Sequence, residues 1–269
     1  MDLPMAIIGF GEAASTFARA AGWGAGAVAF DIDPARRAVM ARAGIGAAES
    51  ARAAVEGSHV ILSLVTAGNA LAAVHQGAPH IASGALWLDM NSVAPETKRA
   101  AAAEIQAAGG RYVDVAVLAP VDPARMAVPL LVSGPHAGFA CETLGRIGFT
   151  NVRTVGAEVG RASAIKMIRS VMVKGIEALT DEMMAGAEAA GVAEEVLASL
   201  DASDSPQRWS VRAAYNRERM ATHGLRRAEE MKEAARTLRA LGVDPVMTDG
   251  TVQRQQAAAN PRIASRDAA

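Results

Sequence analysis

Met5-Ala6-Ile7-Ile8-Gly9-Phe10-Gly11-Glu12-Ala13-Ala14 is the stretch on which the fold of this chain turns. A short apolar run ends in glycine, and a helical pattern from Glu12 to Ala21 follows at once. Outward from it the alternation repeats. Val28-Ala29-Phe30 is a second run, ending in Asp31, and Asp33-Pro34 suits an N-cap and first helical position, predicting a helix from Asp33 to Ala43. Val60 to Val65 reads as a third strand, and Leu86 to Met90 as a fourth, before a helix opened by Pro95 and running to Ala108. Tyr112 to Val117 and Val128 to Ser133 are the fifth and sixth. Continuous apolar runs separated by helices are the pattern of buried parallel strands with crossover connections. Residues 1–156 therefore read as a doubly wound, Rossmann-type α/β domain.

Gly9 to Ala14 fits G-x-G-x-x-A/G in the context the motif needs, with a strand before it and a helix after it. The first glycine permits the tight turn and the second lets a pyrophosphate approach the backbone. The third small residue lets helix and strand pack closely, and the helix N-terminal amides face the phosphates. Asp31 follows about 20 positions on, where a carboxylate accepts hydrogen bonds from ribose hydroxyls and repels a 2′-phosphate. Candidate cofactor-binding residues are Gly9, Phe10, Gly11, Glu12, Ala13 and Asp31, with Val65 and Thr66 after the third strand lining the nicotinamide ribose. NAD is the expected cofactor. NADP is the alternative, because Arg36 and Arg37 stand close to Asp31, although solvated helix residues look the same in sequence. The bland reading of the glycines is a merely tight strand-to-helix turn.

After Gly160 the character changes. Ala162 to Ala190 is one long helical pattern without proline, and further helical segments, including Leu225 to Leu241, are punctuated by Ser205-Pro206, Gly224 and Gly242. Residues 157–269 are expected to form an all-helical domain for substrate and dimer contacts, opened by a long interdomain helix, with a frayed tail from Ala257. Over all 269 residues, 51% are hydrophobic, 20% charged and 4% aromatic, and the net charge is −1. Such a chain is not a disordered one. It lacks the basic excess of a nucleic-acid binder. A single cysteine, Cys141, read as a small buried hydrophobe, suits a reducing cytoplasm, and neither a targeting segment nor a membrane span is evident.

Taken in order, the motifs resemble the β-hydroxyacid dehydrogenase superfamily, the relatives of 3-hydroxyisobutyrate and 6-phosphogluconate dehydrogenases. The resemblance rests on Gly9 to Ala14, on Leu88-Asp89-Met90-Asn91-Ser92-Val93-Ala94-Pro95, on Tyr112 to Val117, and on Gly160-Arg161-Ala162-Ser163-Ala164-Ile165-Lys166. Leu225 to Met231 is similar to the C-terminal domain of a phosphogluconate-dehydrogenase-like branch. The resemblance implies Lys166 as catalytic general acid/base and a small anionic substrate held by Asn91, Ser92, Leu118, Ala119, Arg169 and Ser170. It also implies a homodimer. Two departures surround the substrate. Leu118-Ala119-Pro120 stands where the family usually has Ser-Gly-Gly, and Ser170 where it has an asparagine.

The residues themselves carry part of this reading. Alcohol oxidation needs hydride transfer to a nicotinamide and removal of the hydroxyl proton, and a positioned amine can accept that proton if burial or a nearby cation favours its neutral form. Arg169 and Ser170 stand one turn on from Lys166 in an otherwise apolar segment, although a solvated helix face is the ordinary reading of such a group. Ser92 stands where a substrate carboxylate or a helix cap before Pro95 are both reasonable. The histidines show no metal spacing, so no metal is expected. Ser63 and Ser133 lack a nucleophile-elbow context. Rival readings are a non-catalytic dinucleotide-binding sensor or assembly module and, among enzymes, an imine reductase, whose relatives usually lack the lysine.

Overall fold

The computed structural model describes residues 4–189, 191–204, 208–240 and 244–259. The chain divides into two compact units, Met1–Lys166 and Met167–Ala269. The first unit ends beyond residue 156 because the opening turn of a long helix is hydrogen-bonded to the sheet, as detailed below.

Unit one is an eight-stranded sheet of β1 (Met5–Ile8), β2 (Ala27–Phe30), β3 (Gly46–Ala47), β4 (Val60–Ser63), β5 (Leu86–Asp89), β6 (Arg111–Val117), β7 (Leu130–Ser133) and β8 (Val152–Gly156). The order is β3-β2-β1-β4-β5-β6-β7-β8, parallel throughout except for the antiparallel β6–β7 pair. The period-2 alternation of strands sends successive side chains to opposite faces. Ile7, Leu62, Leu88, Val113 and Val115 enter one apolar cluster, with Phe17 of α1 (Glu12–Ala21) and Leu144 of α6 (Ala137–Arg146). Ile8, Ile61, Trp87 and Tyr112 enter the other, with Val55 of α3 (Ala51–Val55), Val74 of α4 (Ala70–Gly77) and Ile105 of α5 (Pro95–Ala107). Helices cover both faces, which is why the central strands β1, β4, β5, β6 and β7 read as largely apolar runs.

Three local expectations are corrected. The second helix, α2, spans Arg36–Arg42, because the Asp33 side chain accepts the Ala35 N–H in a turn rather than capping the helix itself. The strand expected from Val128 begins at Leu130, and β3 and β8 escaped the sequence reading. β3 has only two residues, both exposed, and β8 is mostly exposed, so neither carries an apolar run.

Unit two continues α7 (Arg161–Ala189) and adds α8 (Ala193–Asp204), α9 (Trp209–Ala240) and α10 (Val246–Ala259). Gly224 does not punctuate these helices. It lies inside α9, where a Cβ would come within 2.2 Å of the Gln255 carbonyl oxygen, so glycine lets α10 pack backbone-close. Ala190, Ser205, Pro206, Leu241, Gly242 and the tail from residue 260 lie outside the described residues. Among the described residues, no helix is long and apolar enough to cross a membrane, and no group of three or more His, Cys, Asp or Glu could hold a metal ion. Cys141 is half-buried against the first cluster, and burial raises its thiol pKa.

Candidate functional site

At the carboxyl ends of β1, β2 and β4 a cleft of about 230 Å³ is lined by Gly9, Gly11, Asp31, Ile32, Arg36, Val65, Thr66 and Gln76, among others. Gly9 has φ +88, and a Cβ there would meet the Leu64 carbonyl oxygen at 2.5 Å, so only glycine makes this turn. A Cβ on Gly11 would meet nothing within 4 Å. That open space lies directly before α1, whose first turn has no side-chain cap. Unsatisfied first-turn N–H groups facing an open cradle fit a pyrophosphate. Asp31 is held at the mouth by two backbone donors, with Oδ2 accepting the Phe10 N–H at 2.6 Å and Oδ1 the Asp33 N–H at 2.9 Å. The cleft thus fits a dinucleotide, with Asp31 at its ribose end and Val65 and Thr66 at the other. The Phe10 side chain is buried in the core and its amide is engaged by Asp31, so Phe10 shapes the loop rather than facing the cleft. Glu12 is exposed and Ala13 half-buried, both in the first turn of α1.

Beyond β5 the chain is tied down before α5 begins. Asn91 is buried, its Oδ1 accepting the Val65 N–H at 2.7 Å and its Nδ2 donating to Ser63 Oγ at 2.9 Å. Its side chain therefore clasps β4 to β5. Ser92, the next residue, is half-buried, and its Oγ accepts a hydrogen bond from Lys166 Nζ. Two residues 74 positions apart in sequence, both expected at the site, are in direct contact. Leu118 and Ala119 are half-buried and pack against apolar clusters at the end of β6. Arg169 and Ser170 belong to unit two. Arg169 is exposed, whereas Ser170 is buried and takes Lys174 Nζ at 3.5 Å, so the two do not share one environment.

The sequence reading missed the polar centre beneath this loop. Lys98 is fully buried, and its Nζ donates to the Asp89 carbonyl at 2.7 Å and to Asp89 Oδ1 at 2.8 Å, with Asp114 Oδ1 at 3.4 Å. Tyr112 donates its hydroxyl to Asp89 Oδ2 at 2.7 Å. Burial, and then the Asp89 and Asp114 charges, hold the Tyr112 phenol pKa well above its usual value, so it stays a donor. The signal was present: Lys98 falls on the inward stripe of α5 with Pro95, Ala101, Ala102 and Ile105, and both aspartates interrupt apolar strands.

Comparison with known proteins agrees with this geometry. The NAD-binding domain of 6-phosphogluconate dehydrogenase matches residues 4–147. The chain belongs to that family. A domain of unknown function (DUF1932) matches residues 187–258. A conserved hypothetical protein from Sinorhizobium meliloti 1021 has 38% identity and a TM-score of 0.75, covering 100% of this chain and 91% of that one. The 3-hydroxyisobutyrate dehydrogenase of Pseudomonas aeruginosa is 27% identical over 192 residues, 68% of this chain and 63% of that protein. The 3-hydroxyisobutyrate dehydrogenase of Mycobacterium tuberculosis shares the fold, with a TM-score of 0.78 at 17% identity over 97% of this chain and 95% of that one.

Proposed function

We propose that this protein is an NAD-dependent dehydrogenase of a small β-hydroxy acid, or the reductase of the matching keto acid, with Lys166 as the proton-transfer group. The observation that carries the reading is the Lys166–Ser92 hydrogen bond at the carboxyl end of the sheet, the end where open α/β sheets bind ligands. NAD, when bound, supplies the hydride acceptor. The work of the protein is then to hold the alcohol and take its proton. Lys166 Nζ receives the hydroxyl proton in oxidation and returns it in reduction. Ser92 Oγ, by accepting from Nζ, fixes the amine and leaves its own O–H to donate to a substrate carboxylate. Asp31 favours NAD over NADP, since its carboxylate accepts from ribose hydroxyls and repels a 2′-phosphate.

A panel of hydroxy acids screened for reduced-cofactor absorbance at neutral and mildly alkaline pH identifies the substrate. On that substrate Lys166→Ala is expected to lower turnover by about 10²–10⁴-fold, the usual contribution of a positioned acid or base, while cofactor binding persists. Near-native turnover in the variant would overturn the assignment. Residues 157–269 are proposed to pair two copies of the chain. On α7, Ile168, Met172 and Leu179 are 48%, 66% and 50% exposed, more apolar surface than a lone helix leaves to water. Light scattering at micromolar concentration is expected to give the mass of a dimer, and a monomer would refute the pairing.

A further inference from the structure

The register of the sheet sets four polar side chains in one row across its carboxyl end. Ser63, Asp89, Asp114 and Ser133, on β4 to β7, are partners strand to strand, and each is fully buried. Lys98 reaches this row from α5 and bridges its two carboxylates. From the row, hydrogen bonds leave in two directions. On one side Asp89 Oδ1 accepts the Asn91 N–H at 2.9 Å, which fixes the loop carrying Ser92. On the other, Asp114 Oδ2 accepts the Ser163 N–H at 2.9 Å and its Oδ1 accepts the Ser163 hydroxyl at 2.6 Å. Ser133 Oγ donates to Asp114 and accepts the Ala162 N–H at 3.0 Å. The row therefore caps the first turn of α7, and Lys166 follows Ser163 by one turn.

We propose that Lys98 is a positioning residue for the Lys166–Ser92 pair: by bridging Asp89 and Asp114 it ties the Ser92 loop and the first turn of α7 to one rigid row. Without its cation, two neighbouring buried carboxylates must separate or share a proton, and either change removes an acceptor from Asn91 or from Ser163. Packing alone does not call for a lysine, because the inward stripe of α5 is otherwise apolar and an apolar side chain would escape the desolvation cost. The importance of the pair for turnover rests on the reading of Lys166 as the proton-transfer group; its positioning does not.

The test is Lys98→Met in the full chain, read by acetic anhydride labelling of Lys166 relative to the exposed Lys232, quantified by peptide mass spectrometry. With a cooperative thermal transition retained, Lys166 labelling relative to Lys232 is expected to rise at least fivefold as the amine loses its fixed partner. A role confined to stability would lower the transition temperature and leave that ratio unchanged, which would overturn the proposal. Should Lys98→Met fail to fold, Ser163→Ala decides: it deletes the hydroxyl donor to Asp114 and keeps the backbone one. A rise of at least twofold supports the proposal, and no change overturns it. On an identified substrate, kcat of Lys98→Met should fall at least tenfold with KM for NAD within threefold. If Lys166→Ala keeps full turnover while Lys98→Met exposes Lys166, the positioning stands and the catalytic assignment falls.

Discussion

In the Met1–Lys166 unit the buried charges stand in one row at the strand ends, backed by two large apolar clusters. In the Met167–Ala269 unit the apolar cluster is small, Met167, Ala228, Met231, Ala234 and Val252, and the buried set around it includes Lys174, Glu177, Arg227, Glu233 and Gln255. Burying a charge is costly unless it is paired and hydrogen-bonded, so each unit needs its polar groups satisfied, but for different ends. The sheet unit concentrates them in one row that ties the Ser92 loop and the first turn of α7. The helical unit spreads them along α7, α9 and α10, where they pair between helices.

That contrast is broken most severely at Glu177. Its carboxylate meets the buried Arg227 guanidinium and takes Gln255 Nε2 at 3.4 Å. Burial already lowers the Arg227 pKa, with Glu230 opposing. Glu177→Ala would strand this guanidinium and should cost about 3–5 kcal/mol in urea unfolding, the usual result of halving a buried pair. A loss below about 1 kcal/mol, the range of exposed pairs, would mean that the interior of the helical unit is effectively solvated.

Asp31 supplies the sheet-unit counterpart, a charge whose removal should register in binding. Asp31→Ala loses the acceptor for Phe10 and Asp33 at the cleft mouth and is expected to narrow any preference for NAD over NADP by about tenfold, about 1.4 kcal/mol. Titration with both cofactors measures it. Unchanged selectivity would move the discrimination elsewhere, with Arg36 the first residue to examine, since it lines the same cleft and pairs with Asp33 at 3.5 Å.

The same contrast explains what could be read from sequence. Strands such as Val60–Ser63 and Leu86–Asp89 are buried on both faces, so they announce themselves as apolar runs, and Gly9 to Ala14 follows from the geometry of one turn. The Lys166–Ser92 contact was accessible only through the order of motifs, because neither residue is exceptional in its own segment. That Asn91 clasps the Val65 amide could not be read from the sequence, which does not show the two lying opposite each other. Lys98 and the two aspartates each stand out in their own segments, but strand register, not spacing, makes partners of Asp89 and Asp114. In α9 the inward face mixes Ala228, Met231 and Ala234 with Arg227 and Glu233, so no clean stripe marks it, and Gly224 looked like a break.

Lys174 offers the smallest and sharpest test of the polar interior. Burial lowers its pKa, Arg227 and Arg226 act in the same direction, and Glu230, at 2.7 Å, opposes them. A lysine with a lowered folded-state value binds its proton less tightly in the native chain than in the unfolded one. Between the folded value and the ordinary value near 10.4 the unfolded state therefore holds more protons, and the contribution of this group to stability rises with pH. Below the folded value the whole cost is present. Lys174→Met keeps the volume, and Glu230 keeps its ion pair with Arg226, so stability at pH 7 should change by about 1 kcal/mol or less. The stability of the parent relative to Lys174→Met should then rise as pH climbs toward 10.4, because only the parent regains stability from this site. Urea midpoints measured in parallel from pH 7 to 10 read that difference directly. Parallel pH profiles would show that Lys174 titrates alike in both states, and that this buried position is not dry.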